Sequence, residues 1–266
     1  MPELPEAPSP ASRLGDAVKR SIFTLQDYVL LSWQATRDIF TPPVYWPDVL
    51  SQMDLIGVGS IPIIIAAFMS IGGVLVLNTA NQLTRFGMAS LTGDGVSLAL
   101  VRELGPTITA LLVAGRNASG MASELGSMVV TEQVDAMRAL GTDPIRKLMA
   151  PRIIATALVM PLLAAAGDFF GLIGGNLMAY LVLRLDAVQF WHRAVAALDI
   201  GDLVQGIVKP FIFALILSTV GCYQGLRVRG GTEGVGRATT TAFLWSALAV
   251  LVSDAFLSRF LLTLFK

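Results

Sequence analysis

Five long apolar segments constrain this chain more than any other feature. Each is longer than the ~20 residues that an α-helix needs to cross the hydrocarbon core of a bilayer. Of all residues, 54% are hydrophobic and only 14% are charged, which is too apolar for an ordinary soluble domain. The sequence therefore predicts an all-α integral membrane protein with five transmembrane helices, at roughly 55–80, 95–124, 152–183, 203–226 and 238–264.

The composition also argues against several functional classes. The net charge is zero, so a broad nucleic-acid-binding face is not expected. Cys222 and His192 are the single cysteine and the single histidine, which leaves no intrachain disulfide and no persuasive metal site. The chain has no G-x-x-x-x-G-K-[ST] sequence, so it cannot bind ATP through a P-loop of its own.

Two regions precede the apolar segments. Residues 1–12 are rich in proline, glutamate and serine, lack the features of a signal peptide, and predict a disordered tail. Within 13–48, apolar residues recur every three or four positions until "TPPVYWPD" breaks the helix. This pattern predicts an amphipathic helix in the membrane interface, with a soluble helix packed on a partner as the alternative.

The lysines and arginines predict the orientation. If the N-terminus is cytoplasmic, five spans divide them very unequally between the two sides of the membrane. The cytoplasmic set is Arg13, Lys19, Arg20, Arg37, Arg138, Arg146, Lys147, Arg152, Arg227, Arg229 and Arg237, and the outer set is Arg85, Arg184, Arg193 and Lys266. Because positive residues accumulate on the cytoplasmic side, we predict a cytoplasmic N-terminus and an outer C-terminus.

The second apolar segment carries two stripes of small residues. One stripe is Ala110, Ala114, Ala118, Ala122 and Gly126, and the stripe beside it is Gly115, Ser119, Ser123 and Ser127. Residues four apart share a helix face, and small faces let helix backbones approach closely in membranes. We therefore predict that this helix packs tightly against its neighbours.

Ionisable residues lie within or beside the spans, where charge is costly and usually faces a bundle interior or water. We interpret five as structural charges that pair within the protein, for example Glu124 with Arg152: Arg116, Glu124, Asp168, Arg237 and Asp254. Glu103 and Lys209 are instead candidates for the lining of a wet cavity, and Arg102 lies beside Glu103.

The polar segment after the second span predicts a short helix. Its start and stop signals are Thr131 as N-cap, Gly141 as a left-handed end, and Asp143 before Pro144 as a second start. Its small apolar face consists of Val134, Met137 and Leu140, and Asp135 and Arg138 can pair. Such a helix is a suitable contact for a soluble partner, and an ordinary folded loop is the alternative.

One long motif resembles a known family. "RELGPTITALLVAGRNASGMASELGSMVVTEQVDAMRALGTDPIRKLMAPR", at 102–152, is similar to the signature region of the MlaE/YrbE/TGD1 family of ABC transporter permease subunits. The similarity continues through "GIVKPFIFA" and "GVGRATTTAFLWSALAVLVSDAFL". It implies a permease domain over 49–266.

The resemblance implies a function and a set of partners. Such permeases move phospholipids between inner and outer membranes, or maintain outer-membrane lipid asymmetry, and are not enzymes themselves. The implied protein is a homodimer in the bacterial inner membrane, with cytoplasmic ATPase subunits that bind ATP and Mg²⁺. A ring of MCE proteins on the periplasmic side and a small STAS-domain accessory protein complete the implied assembly.

The resemblance also implies roles for individual residues. Arg102 and Glu103 match the pair that begins the family motif near the lipid cavity, and Lys209 faces the same region. Three further positions match the cavity lining, namely Leu75, Leu83 and Phe86, although Gln82 stands where the family often has an apolar residue. The short helix matches the coupling helix that docks on the ATPase, through Glu132, Val134, Asp135, Met137, Arg138, Leu140, Gly141, Asp143 and Pro144.

Two other functional classes compete with this interpretation. In an ion-coupled secondary transporter of an amphipathic substrate, the relay would be Glu103, Asp168, Lys209 and Asp254. Inverted repeats would support that class, but five spans do not divide into equal halves. A membrane scaffold would explain the small-residue stripes but not the intramembrane charges.

Overall fold

A computed structural model describes residues 10–39, 41 and 45–264, which are largely α-helical and contain no strand. The α-helices are α1 (Pro10–Asp38), α2 (Trp46–Ile56), α3 (Ile61–Arg85), α4 (Thr92–Ala99), α5 (Gly105–Val113), α6 (Ser119–Val130), α7 (Gln133–Ala139), α8 (Ala150–Leu181), α9 (Ala187–Ala196), α10 (Ile200–Leu226) and α11 (Gly231–Leu264). The predicted tail at 1–12 falls mostly outside the described residues.

Five helical stretches of the described chain are long and apolar enough to cross a membrane, which confirms the predicted fold class. They are Trp46–Arg85, Ala89–Val130, Ile145–Leu181, Ile200–Leu226 and Gly231–Leu264. Most begin earlier or end later than the apolar windows of the sequence. A helix continues past the hydrocarbon core because its backbone hydrogen bonds do not depend on side-chain hydropathy, so hydropathy alone underestimates its length.

The second span is interrupted by two π-helical turns, at Leu100–Leu104 and Ala114–Ala118. A third such turn, Ile145–Met149, begins the third span. Each of the three carries charged residues, and single π-turns inside α-helices occur frequently at functional sites. These π-turns were not predicted from the sequence.

Glycine contacts join the first and third spans. A Cβ on Gly72 would overlap the carbonyl oxygen of Gly171, and a Cβ on Gly174 would overlap the backbone of Met69. A Cβ on Gly167 would lie 2.8 Å from the ring of Phe68. These two helices therefore pack backbone to backbone, as small residues allow in membranes.

The fourth span packs on one of the small-residue stripes of the second span. All five members of the Ala110-to-Gly126 stripe are buried. A Cβ on Gly221 of α10 would lie 2.8 Å from the carbonyl oxygen of Ala118, and one on Gly225 would lie 3.0 Å from the Cα of Ala122. The predicted tight packing is confirmed there. The other stripe is largely exposed and only Ser119 bonds a neighbouring helix, donating to the carbonyl of Thr239 at 3.3 Å.

Helix α1 attaches to α10 through polar contacts. The hydroxyls of Tyr28 and Thr219 lie 2.8 Å apart, and the Tyr223 hydroxyl donates to the Thr24 carbonyl at 3.2 Å. Arg227 pairs with Asp27 at 2.8 Å. Apolar residues of α1 remain exposed: Ile22, Phe23, Leu25, Val29, Leu30 and Trp33. Its position in the membrane interface stays a prediction.

The segment between the second and third spans contains the short helix α7. Gly141 adopts a φ of +78°, and the Asp143 carboxylate accepts from the Ile145 amide at 2.9 Å, which confirms both predicted signals. The N-cap prediction is wrong. Glu132 occupies that position with a φ of +60°, and the Thr131 hydroxyl instead donates back to the Ser127 carbonyl at 2.9 Å.

The apolar face of α7 is partly used by the chain itself. Val134 is 3% exposed and belongs to the hydrophobic core, and Met137 is half-buried against the same core. Only Leu140, at 84% exposure, projects into solvent. The three residues therefore do not form one free surface, because the short helix folds back on the ends of the spans.

Candidate functional site: a buried charge network

The side chain of Lys209 is the centre of a charge network inside the bundle. It is fully buried on α10, and its ammonium donates to Glu103 Oε2 at 2.7 Å and to Ser258 Oγ at 2.8 Å. Asp254 Oδ1 lies 3.2 Å from the same nitrogen. Ser258 also donates to Glu103 at 3.0 Å. Two other spans, the second and the fifth, thus contribute polar groups to one buried cation of the fourth.

A proline in the second span explains part of this arrangement. Pro106 has no N–H to offer the carbonyl of Arg102, four residues earlier, and that carbonyl needs another donor inside a membrane. The Lys209 ammonium donates to it at 2.7 Å. The π-turn at Leu100–Leu104 and the proline therefore create an acceptor that a buried lysine can use.

A second ion pair lies two helical turns along α10. The Arg102 guanidinium pairs with Asp202, whose carboxylate is 3% exposed. The other oxygen of Asp202 accepts from the Asp199 amide at 3.0 Å, closing a capping box at the start of α10. This cap fixes the Asp202 carboxylate beneath the second span, where Arg102 meets it.

The network combines buried anchors with partly open edges. The side chains of Lys209 and Asp202 are buried, whereas the Arg102 side chain is 36% exposed and the Glu103 side chain is 43% exposed. A guanidinium donor and a carboxylate acceptor are therefore held side by side at the network's edge. Such a pair can bind both charges of a polar headgroup, because charge-assisted hydrogen bonds are about twice as strong as neutral ones.

The structure brings together Arg102, Glu103 and Lys209 as the sequence analysis grouped them, and it adds Asp254. We interpreted Asp254 as a structural charge that pairs within the protein, and it is a direct ionic partner of Lys209. Lys209 itself does not line an open cavity in the described chain, because its side chain is fully buried.

The other predicted site residues lie elsewhere. Leu75 packs against the hydrophobic core, Leu83 is half-buried in the last turns of α3, and Phe86, just after that helix, is 74% exposed. Glu124 pairs with Arg152 at 2.7 Å, and Arg237 pairs with Glu233 at 3.0 Å.

Two of the charges interpreted as structural have no ionic partner among the described residues. Arg116 bonds only the Leu55 carbonyl and the Ser60 hydroxyl. Asp168 is buried against Gly105, and its Oδ1 accepts no hydrogen bond within the described part of the chain. The fold therefore does not pair every intramembrane charge with an opposite charge among the described residues.

Asp202 and Ser258 are network members that the sequence analysis missed. Asp202 precedes Lys209 by seven residues and Ser258 follows Asp254 by four, so each shares a helix face with a residue already singled out. That spacing was a usable signal. Within the described residues, no group of three or more His, Cys, Asp and Glu side chains could hold a metal ion.

Comparison with known proteins identifies the family. The sequence profile described as "Permease MlaE" matches residues 49–260. A probable ABC transporter permease protein of Rickettsia typhi is 36% identical over 234 residues, which is 88% of this chain and 90% of that protein.

Two relatives carry more specific names. The protein TRIGALACTOSYLDIACYLGLYCEROL 1, chloroplastic, of Arabidopsis thaliana is 32% identical over 231 residues, 87% of this chain and 66% of that protein. The intermembrane phospholipid transport system permease protein MlaE of Haemophilus influenzae is 33% identical over 215 residues, 80% of this chain and 82% of that protein. With its five apolar helices, this chain is a multi-pass inner-membrane protein and belongs to the MlaE permease family.

Proposed function

We propose that this chain is the membrane permease of an ATP-driven phospholipid transporter. It would work as a homodimer, move lipids between inner and outer membranes or maintain outer-membrane asymmetry, and pass them to or from an MCE protein ring. A separate cytoplasmic ATPase would bind ATP and Mg²⁺, and a small STAS-domain protein would be an accessory subunit. The N-terminus would be cytoplasmic and the C-terminus periplasmic.

The charge network around Lys209 is the observation that carries the proposal. A phospholipid has a charged headgroup and apolar tails, and a binding site must accommodate both. Arg102 and Glu103 offer half-exposed charges, while the surrounding spans are apolar. The buried side of the network gives these two residues a fixed geometry, which preorganises them for a headgroup.

The fifth span supports the proposed homodimer. Only 11% of its most apolar window is buried within the chain, against 50–56% for the second, third and fourth spans. Its exposed large hydrophobic residues are Phe243, Leu244, Trp245, Leu248, Leu251, Val252, Phe256, Phe260, Leu262 and Leu264. Asp254 and Ser258 lie on this same helix, so a second copy packed on it would enclose the network between two protomers.

Helix α7 supports the proposed coupling to an ATPase. It continues from α6 after one turn, and α6 is packed against α10 through small residues. A displacement of α7 would therefore be transmitted into the second span. The exposed Leu140, with Glu132, Asp135, Arg138 and Asp143 around it, is the surface that a soluble subunit would contact.

Lipid flux tests the main proposal. The permease, co-expressed and purified with the ATPase and MCE proteins, would be reconstituted in donor vesicles, and labelled phospholipid would be followed into acceptor vesicles. We expect flux with ATP and none with a non-hydrolysable analogue. Flux that follows an ion gradient without ATP would instead favour a secondary transporter.

A matched pair of charge reversals tests the site. Glu103→Lys places a cation against Lys209 and should abolish flux while the complex still assembles. Glu233→Lys reverses an exposed acid on α11 and should leave flux unchanged. Equal flux in both variants would contradict the placement of the lipid site at the network.

A second pair tests the coupling helix. Leu140→Asp should detach or uncouple the ATPase, because it places a charge at the exposed apolar contact, and Met137→Asp should do the same with some loss of stability. Val188→Asp, at another exposed apolar position, on α9, is the control. Normal co-purification and normal ATP hydrolysis with Leu140→Asp would show that α7 is an ordinary loop.

A further inference from the structure

Arg116, on the π-turn Ala114–Ala118, holds its charge without an anionic partner among the described residues. Its Nη1 donates to the Leu55 carbonyl at 3.2 Å and to the Ser60 hydroxyl at 3.0 Å. The guanidinium lies so close to Gly59 that a Cβ there would overlap it. Its Nη2 and Nε make no hydrogen bond to the described chain, and the residue is exposed.

The nearest carboxylate of the same span is already used. Glu124 lies eight residues further along the helix, a rise of roughly 12 Å along its axis at 1.5 Å per residue. It pairs with Arg152 at 2.7 Å. The positive charge of Arg116 is therefore balanced only by neutral oxygens at the C-terminal end of α2, where the helix dipole favours a cation.

The depth of Arg116 follows from the helix beside it. α3 begins at Ile61 and has 25 residues, which gives a length of about 37 Å at 1.5 Å per residue. The hydrocarbon core is ~30 Å thick, so α3 is long enough to cross it without α2. With α3 as the membrane-crossing part of the first span, Ser60 directly before it and the guanidinium that bonds Ser60 would lie near one boundary of the core, close to the lipid phosphates.

A cleft of about 150 Å³ opens in front of this guanidinium, between α2 and the second span. Its apolar wall includes Leu55, Ile56 and Met121, and Gln52 and Asn117 add polar groups beside Arg116. Glu124 also lines the cleft, and its carboxylate pairs with Arg152 at 2.7 Å. The Asn117 amide bonds the Ser60 hydroxyl at 3.4 Å. The cleft thus combines a cation and amide donors with a short apolar wall, at the depth where a headgroup meets its acyl chains.

We propose that this cleft binds the phosphate group of a membrane phospholipid, at a site distinct from the Lys209 network. The free donors of Arg116 match two phosphate oxygens in a fork, and the amides of Gln52 and Asn117 are placed to assist. Arg102 and Arg116 are 14 residues apart, roughly 21 Å along the span. One lipid headgroup cannot reach both, so the two sites bind separate molecules.

Native mass spectrometry of the full-length chain in detergent tests the proposal with three probes. These are dioleoylphosphatidylglycerol, dioleoylglycerol with the same tails and no phosphate, and inorganic phosphate as a competitor. We expect wild type to retain one more phosphatidylglycerol per chain than Arg116→Gln, or to bind it roughly tenfold more tightly, as a charged hydrogen bond would allow. Dioleoylglycerol should not fill the site, and millimolar inorganic phosphate should not displace the phospholipid.

Two variants separate binding from folding. Arg116→Lys keeps the charge without the fork and should show intermediate retention, whereas Arg229→Gln removes an exposed loop arginine and should match wild type. Phosphatidylglycerol should raise the Tm of wild type but not that of Arg116→Gln, each compared with its own lipid-free value.

Four results would overturn the proposal. They are equal lipid retention by wild type and Arg116→Gln, equal retention of dioleoylglycerol, displacement by inorganic phosphate, or an equal loss in Arg229→Gln. A lower dimer fraction in Arg116→Gln with unchanged lipid binding would instead assign Arg116 to a carboxylate of a second copy.

Discussion

The second span contains two charged π-turns that stabilise their cations in opposite ways. At Leu100–Leu104, Arg102 pairs with Asp202, and the turn's Glu103 joins Asp254 around the fully buried Lys209. At Ala114–Ala118, the exposed Arg116 bonds two neutral oxygens. The same local backbone device therefore supports one closed ionic network and one open cation.

The surroundings explain the difference. A buried ammonium ion loses its hydration and must recover the lost energy from carboxylates and carbonyls at short distance. At a membrane boundary water and headgroups remain in reach, so neutral oxygens suffice and part of the charge stays available to a ligand. Removing a partner should therefore lower the free energy of unfolding strongly at the Leu100–Leu104 turn and only slightly at the Ala114–Ala118 turn.

The largest expected effect is that of Lys209→Met. It leaves Glu103 and Asp254 without their common cation, and breaking a buried pair in this way costs about 3–5 kcal/mol. We expect a loss of that size in the free energy of unfolding, measured by SDS titration in mixed micelles. Adding Asp254→Asn to this variant should recover part of the loss. If Lys209→Met leaves the free energy of unfolding unchanged, the network does not depend on a buried ion pair.

Arg116→Gln should destabilise the chain less than Lys209→Met does. Glutamine can replace one of the two hydrogen bonds to neutral oxygens, so we expect a loss of about 1–2 kcal/mol in the same titration. Gly120→Ala, on the same span with open space around its Cβ position, is a suitable control. If Arg116→Gln lowers the free energy of unfolding as much as Lys209→Met does, the two turns do not differ in how much their cations depend on their partners.

Ser258→Ala probes a neutral member of the closed network. The hydroxyl accepts from Lys209 and donates to Glu103, but the ammonium keeps three other oxygens. We expect a loss of about 1 kcal/mol in the free energy of unfolding, and a reduced but measurable lipid flux. Complete loss of flux with normal stability would give Ser258 a direct role at the lipid.

The smallest effect is expected for Glu233→Gln. This residue and Arg237 are 80% and 66% exposed and form an i,i+4 pair on α11. Such pairs contribute about 0.3–0.5 kcal/mol, so the unfolding titration should hardly change. A change above about 1 kcal/mol would show that this end of α11 is buried by a partner in the intact protein.

Much of the fold was predictable from the sequence. Hydropathy located all five spans because the bilayer demands long apolar helices, and the stripe from Ala110 to Gly126 correctly indicated a close helix contact. The contact of Gly72 with Gly171 was not predicted. A glycine identifies a close contact between two helices only when the partner helix is known. The sequence does not state which helices are neighbours.

The site was predictable in its members but not in its connections. Arg102, Glu103 and Lys209 stood out because charges in apolar segments are rare. Their partners Asp202 and Ser258 look ordinary in the sequence, the first as a helix cap and the second as a small polar residue. Val134 was expected on a free apolar face but lies in the core. An apolar face on a short helix can turn toward its own chain or toward another, and the sequence does not distinguish the two.

The sequence by itself determined that this protein crosses a membrane five times. It also showed which charged residues lie within the apolar segments, and it contains a motif that resembles one family. Those properties depend on composition and order along the chain, because transfer of each segment into lipid is a local free energy. The tertiary structure decided which charges are neutralised. Lys209 is enclosed because Pro106 leaves the Arg102 carbonyl without its helical N–H partner and α11 brings Asp254 beside it. Arg116 is left open because the residues at and after the end of α2 offer it neutral oxygens and the Glu124 carboxylate is paired with Arg152. Coulomb energies depend on distances of a few ångströms, and only the packing of helices far apart in sequence sets those distances.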